Sequence, residues 1–432
     1  MSRFGGTFEK YDNRLALQSS GYRGEVKLGD GMNRVVMVAV MTVLVCPLRT
    51  VGSTKDHPQR EPSEVQTFER KMTDIMTLHH LPGAGAVVVT RSGVAWAQGF
   101  GVENREKGSR AQPDSVFDLM SVSKIVTASA LLALVEDGGI DIDDEINPHL
   151  PFPVVNPSFA DRPITFRMLL DHTSSIHDDR EIIESLYGPG DPSQGLETML
   201  RAYLMPTGQL FQPTNFLDAA PGEQYQYSNV GFALLGLLVE RIAEKPFPVF
   251  CREKLFEPTG MKSAGWFLSD IDRDRLVVRY SADPDHPGEL VANTPFGWPG
   301  YPDGQLRSNL LDLARFLQML LRSGEISGRR VLKSETVDLM FTPQGLDKDQ
   351  INAQTLLPKE DIALPWQLVT LGGKIVAFHS GRGSGLASGV IVDREAGYAA
   401  ALWISGSLQS REAFVDLLEA LERVGLEVQG GP

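Results

Sequence analysis

The chain has 432 residues, 42% hydrophobic and 22% charged, with 41 Lys and Arg against 55 Asp and Glu and a formal net charge of −14. These figures describe an ordinary globular protein and exclude a collagen, a coiled coil, a disordered chain and a multi-span membrane protein. The acidic balance argues against a nucleic-acid partner, because phosphates reward clustered Lys and Arg, and two cysteines, Cys46 and Cys251, make neither a disulfide framework nor a zinc site.

Residues 1–31 are polar and Gly-rich, without period. Residues 35–46 (VVMVAVMTVLVC) are uncharged and almost wholly apolar. This run is too short for a transmembrane helix of about 20 residues but has the length of a signal-peptide h-region. Arg34 before it and Thr50-Val51-Gly52 after it supply a positive flank and a small-residue cleavage site, with Met32 as the start of translation. That reading exports the protein or associates it with a membrane through 35–46 alone. Val45 before Cys46 is bulky for a lipid-anchored cysteine. The other reading is an internal β-branched strand in a cytoplasmic protein. The extension 1–62 closes with a polar linker holding Pro58 and Pro62, which marks the start of a domain over 63–428.

Phe68, Met72, Ile75 and Met76 fall near a 3.6-residue spacing and predict a helix over 63–81. Residues 86–90 and 94–97 read as strands joined at Arg91-Ser92-Gly93, a hairpin signal. Residues 121–135 (SVSKIVTASALLALV) are apolar nearly all round past Lys124, which predicts a deeply buried helix. Helical stretches follow at 166–172, 230–243 and 310–321, split by Pro/Gly loops. Short apolar runs at 374–378, 389–392 and 398–404 predict strands. A last helix starts after the N-cap Ser410, with Phe414, Leu417, Leu418 and Leu421 on one face. Strands at both ends with helices between predict a mixed α/β (α+β) fold. An antiparallel sheet from both chain ends (about 63–135 and 365–428) is flanked by helices, and a mainly helical part (about 136–364) is inserted. Length alone allows about three domains; this pattern makes them one unit.

Three short motifs carry chemistry. In Ser121-Val122-Ser123-Lys124 the first and last residues share one helical face. Ser121 sits at the helix start, where free N–H groups favour developing negative charge. A serine needs an adjacent base to act as a nucleophile. A lysine serves as that base only when burial lowers its pKa to roughly 7–8. In Tyr227-Ser228-Asn229 the phenol can relay a proton and the amide can orient the lysine and the substrate. In His379-Ser380-Gly381 the glycine lets a substrate lie against a strand edge, and the next N–H, of Arg382, can pair with that of Ser121 as an oxyanion hole. Taken singly, each motif is equally a structural feature: a common spacing, a helix cap, a histidine in a strand.

In this order the three motifs resemble those of the serine hydrolases related to class C β-lactamases. That superfamily includes D-alanyl-D-alanine carboxypeptidases, D-aminopeptidases and family VIII carboxylesterases. The resemblance runs from about 64 to 425 and extends to Ile164–Ser175, Pro221–Gln226, Phe256–Met261 and Asp312–Phe316. It implies a β-lactamase/transpeptidase-like fold. It makes Ser121 the acylated nucleophile, Lys124 its base and Tyr227 the proton relay. Asn229, His379 and Gly381 would bind substrate, and the N–H groups of Ser121 and Arg382 would form the oxyanion hole.

Two departures bear on the substrate. The third box is His-Ser-Gly where the β-lactamases carry a lysine, and a mostly neutral histidine binds a carboxylate less well; Arg382 next to it could restore an anion site. The glycine expected after His172-Thr173-Ser174 is Ser175, so that turn could differ; His172 itself reads as structural. No Gly-x-Ser-x-Gly elbow and no His-Glu-x-x-His spacing is present, so neither an α/β-hydrolase nor a metal or other cofactor is expected. The expectation is a serine hydrolase with a small-molecule ester, amide or peptide substrate, first a carboxylesterase on small acyl esters. The alternatives are a D-amino-acid peptidase, a DD-carboxypeptidase or weak β-lactamase, and a penicillin-binding protein that does not hydrolyse. Trp266, Phe267, Phe296, Trp298 and Tyr301 suggest an aromatic wall.

Overall fold

Alternation along the strands sorts side chains onto two buried faces, and that sorting builds the layers. The computed structural model describes residues 61–430 apart from 287, 352–355 and 409. The apolar run 35–46 and Cys46 lie outside the described residues. The strands of the main sheet are β1 (Gly83–Thr90), β2 (Gly93–Asn104), β3 (Ser109–Arg110), β4 (Lys359–Ile362), β5 (Gln367–Leu371), β6 (Lys374–Gly383), β7 (Leu386–Asp393) and β8 (Tyr398–Ser405). They pair antiparallel in the order β4-β5-β6-β7-β8-β1-β2-β3, so β1, from the N-terminal part of the domain, lies between β8 and β2. The sheet is built from both ends of the domain sequence.

One face carries Ala86, Val88, Phe378, Ile391, Ala400 and Leu402 under two helices, α1 (Glu64–Leu78) and α5 (Arg411–Val428). Phe68 and Met72 of α1 and Phe414, Leu417, Leu418 and Leu421 of α5 fill that layer. Ser63 and Ser410 cap the two helices, the second as the sequence predicts. The opposite face carries Val87, Val89, Ala377, Val390, Val392, Ala401 and Trp403 against the helical layer. With both faces covered, β7 and β8 are buried at every residue, which explains why they read as continuous apolar runs.

The helical layer contains α2 (Ser123–Glu136), α3 (Asn229–Ala243) and α4 (Leu310–Leu321). Helix α2 is buried from Ser123 through Leu134, and α3 packs on it. Two details differ from the sequence expectation. Ser121 lies in a 3₁₀ turn, Met120–Val122, one turn ahead of the α-helix. The C-terminal strands of the main sheet begin at Lys359, before the boundary expected near 365. Helix α4 packs on β1, β2 and β8. The buried side of α4, Leu313, Phe316, Leu317 and Leu320, requires that support.

A buried ion triad ties the helical layer together in front of the sheet. The carboxylate of Asp118 is 2.8 Å from Nε of Arg307 and 3.3 Å from Nε of Arg279. Arg307 is fully buried and Arg279 nearly so. Removing the shared carboxylate leaves buried Arg279 without a carboxylate partner and Arg307 with Asp191 alone, at 3.8 Å, a change of about 3–5 kcal/mol. Asp118→Ala is therefore expected to lose about that much stability in denaturant unfolding; a loss below about 1 kcal/mol would contradict the triad's role.

Candidate active site

The turn that carries Ser121 is held by close packing on three sides. Leu119 donates its N–H to the carbonyl of Leu306 at 2.8 Å, and its own carbonyl accepts from Ser388 Oγ at 2.8 Å. Met120 has φ of 52°, the left-handed region that a side chain rarely adopts. This kink turns Ser121 toward β6. A Cβ on Gly381 would lie 2.4 Å from the carbonyl oxygen of Leu119 and 2.8 Å from Cβ of Met120, and one on Gly383 would lie 2.6 Å from Met120 Cε. Glycine is needed at 381, where the obstacle is backbone; at 383 the flexible end of Met120 would have to shift.

Lys124 is fully buried. Its Nζ donates to Asn229 Oδ1 at 2.7 Å and to the carbonyl of Asp303 at 2.8 Å, and lies 3.5 Å from Ser121 Oγ. Nζ thus has three oxygen neighbours, from three separate segments. The same Nζ stands 4.9 Å from the ring centre of Tyr227 and 5.5 Å from that of Phe232. Ser121, Lys124, Tyr227 and Asn229 therefore meet around one nitrogen.

Two residues that no motif marked hold this arrangement. Asp178 accepts from the N–H groups of Asn229 at 2.6 Å and Val230 at 3.1 Å and from Ser228 Oγ at 2.8 Å, fixing the start of α3. Asp303, in the Tyr301–Asp303 turn, supplies the main-chain acceptor for Lys124. Both are single acidic residues in loops, without period or spacing to flag them.

His172 also adopts left-handed backbone, at φ 62°. Its Nδ1 accepts from the N–H of Ser228 at 3.2 Å, and its ring lies 4.5 Å from that of Tyr227. It positions the Tyr-Ser-Asn segment. Ser175 takes φ of 63°, so serine occupies the left-handed turn where the motif would carry glycine, and its Oγ accepts from Asn156 Nδ2 at 3.1 Å.

His379 is on the site-facing side of β6, in phase with Ala377 and Gly381. Nδ1–H donates to the carbonyl of Ser380 at 2.9 Å, a tautomer assigned from that contact. Burial, then the charge of Lys124, pushes its pKa down to about 3, so the ring is neutral. His172 is held well below its ordinary value by the same two causes. Arg382 has the opposite phase: its guanidinium lies 5.8 Å from the ring centre of Phe414, under α5 on the far face of the sheet. Its side chain is directed away from the site, leaving its backbone at the cavity edge. A second lysine, Lys359 of β4, donates to Tyr225 Oη at 3.1 Å and is pushed down to about 8 by burial.

A cavity of about 520 Å³ opens onto Ser121 and Asn229, walled by Tyr187, Phe296, Trp298 and Asp303. Of the aromatic residues singled out in the sequence, Phe296 and Trp298 line this cavity. Trp266, Phe267 and Tyr301 line a separate one of about 1030 Å³.

Two expectations follow from this geometry. Gly381→Ala should displace the Ser121 turn and lower turnover of any substrate by at least about 10²-fold, the scale of a lost oxyanion donor, with the fold retained by circular dichroism; turnover within threefold of wild type would contradict the contact. The second concerns acid. Below about 6.5 the unfolded chain binds a proton at position 379 that the folded chain refuses until about 3, so this group's contribution is full above 6.5 and is lost as pH falls. His379→Gln should make stability fall less steeply between pH 6.5 and 5, by up to one proton; an unchanged slope would mean the ring titrates normally.

Comparison with known proteins agrees with this layout. A family profile described as Beta-lactamase matches residues 68–423. "Protein flp" of Staphylococcus aureus (strain MW2) is 24% identical over 242 residues, 56% of this chain and 46% of that protein. The chain thus spans about half the length of these curated relatives. Penicillin-binding protein 4 of Amycolatopsis lactamdurans is 27% identical over 278 residues, 63% of this chain and 68% of that one. Among solved structures, a D-amino acid amidase from Ochrobactrum anthropi SV3 superposes with a TM-score of 0.66 at 19% identity, covering 84% of this chain and 98% of that one. The octameric penicillin-binding protein homologue from Pyrococcus abyssi gives 0.65 at 22%, covering 85% and 78%. With the profile spanning the sheet, the helical layer and all three motifs, the chain belongs to the beta-lactamase family.

Proposed function

We propose that this protein is a serine hydrolase that works without a cofactor through an acyl-enzyme on Ser121, and that its substrates are esters of small acyl groups. The observation that carries the reading is the contact of Lys124 Nζ with Ser121 Oγ, held from behind by Asn229 and Asp303. In the first step Ser121 Oγ bonds to the acyl carbon and its proton moves by way of Lys124 and Tyr227 to the leaving oxygen. The N–H groups of Ser121 and Arg382 take up the charge on the carbonyl oxygen. Water then attacks the acyl carbon, its proton passes by way of Tyr227 and Lys124 to Ser121 Oγ, the bond from Oγ to the acyl carbon breaks, and the acid leaves.

The choice of ester rests on the missing cation. His379 is neutral, and the guanidinium of Arg382 is on the other side of the sheet. Arg279 borders the cavity, but it is paired with Asp118 and donates to the carbonyls of Ser384 and Thr294. A β-lactam or a peptide ending in D-alanine brings a carboxylate that needs such a partner; a simple ester does not. Hydrolysis of these two substrates should be slower than that of the ester.

Short-chain p-nitrophenyl esters test the reading. Wild type should turn them over, Ser121→Ala should not, and Lys124→Ala and Tyr227→Phe should each lose at least about 10²-fold, the scale of acid–base roles. Equal turnover by wild type and Ser121→Ala would overturn the nucleophile, and losses below tenfold would overturn the proton path. Stable acylation without turnover would make the protein a penicillin-binding protein that does not hydrolyse.

A further inference from the structure

The carboxyl group of Asp303 is not used by the chemistry above. Its main-chain carbonyl holds Lys124, but its side chain is a separate feature: 5% exposed, on the wall of the cavity that opens onto Ser121. Oδ1 accepts from Trp298 Nε1 at 3.3 Å. Among the described residues it has no other hydrogen bond and no ion pair. The neighbouring cations are engaged elsewhere. Arg279 is paired with Asp118 and lies 4.6 Å from the ring centre of Phe296. Lys124 reaches the Asp303 carbonyl, Asn229 and Ser121. A buried carboxyl group with one indole donor is an incomplete site, because a buried charge needs a partner.

The walls beside it are aromatic. Tyr187, Phe296 and Trp298 line the same cavity, with Tyr187 in edge contact with both of the others at 5.2 and 5.9 Å. A carboxylate among aromatic rings is the chemistry that recognises an ammonium ion. We propose that Asp303 is a specificity-determining residue that binds an ammonium group of the substrate, so that the preferred substrates are cationic esters or amides. This rests on the reading that the cavity at Ser121 is the substrate site. The choice is supported by what burial does to the free carboxyl group, raising it to about 7 against the pull of Lys124. An arriving ammonium supplies the missing partner and favours the ionised form. The other titratable groups facing it are Lys124, Asp178 and Tyr187.

Binding tests this without any turnover. Benzylammonium and benzyl alcohol, of similar shape, are titrated calorimetrically into wild type, Asp303→Asn and Ser121→Ala at pH 8 and pH 6. The asparagine keeps an acceptor for Trp298 and leaves the main-chain carbonyl in place. Wild type and Ser121→Ala should bind benzylammonium at least tenfold tighter than the alcohol at pH 8. That preference should shrink at least threefold at pH 6, where the carboxyl group takes up a proton, and vanish in Asp303→Asn. Equal binding of the two probes by wild type, or a preference kept by Asp303→Asn, would overturn the proposal. Should Asp303→Asn not fold, the wild-type pH comparison decides: a preference identical at the two pH values would overturn it. Ester turnover lost while the preference persists would count against the hydrolase reading and not against the cation site.

Discussion

A fully buried lysine nitrogen is the constraint on which the rest of the site depends. Lys124 is closed to solvent, so its N–H groups need acceptors from the protein, and leaving one unmet would cost several kcal/mol. The three acceptors come from three separate places: the turn before α2, the start of α3 and the 301–303 turn. To satisfy one nitrogen the fold must bring these segments together. Asp178 at the N-terminus of α3 and the triad of Asp118, Arg279 and Arg307 then act as braces for that convergence.

The sheet supplies the fourth wall by a different means. Strand β6 comes into van der Waals contact with the Met120 kink because Gly381 lacks a side chain. The same strand's alternation sends His379 toward the site and Arg382 toward α5. Phase alone thus removes a cation from the pocket. His379 and His172 are held below their ordinary values first by burial and then by the charge of Lys124. The pocket is left with a carboxyl group, Asp303, as its free side-chain charge among the described residues that wall it, Arg279 being paired.

The motifs made Ser121 and Lys124 stand out because residues three apart share one face of a helix, a short-range relation that sequence records directly. The layers were legible for a similar reason: alternation in β1, β6 and β8 and the apolar stripe of α5 each report a local surface. What sequence did not carry is long-range. Asp178 and Asp303 act through loops that share no period with their partners. Lys359 enters from an edge strand, and the direction of the Arg382 side chain depends on strand phase. Ser175 was read as a changed turn, yet the turn is kept, because the hydrogen bond from Asn156 supports a serine in a left-handed position.

The central claim is that the convergence at Lys124 makes one serine nucleophilic. Treating the folded protein with a fluorophosphonate and locating the adduct by peptide mass spectrometry tests this most directly. The account predicts a single phosphonyl group, on the peptide containing Ser121 and on that residue. Labelling of another serine, or none under conditions that label a known serine hydrolase, would contradict it.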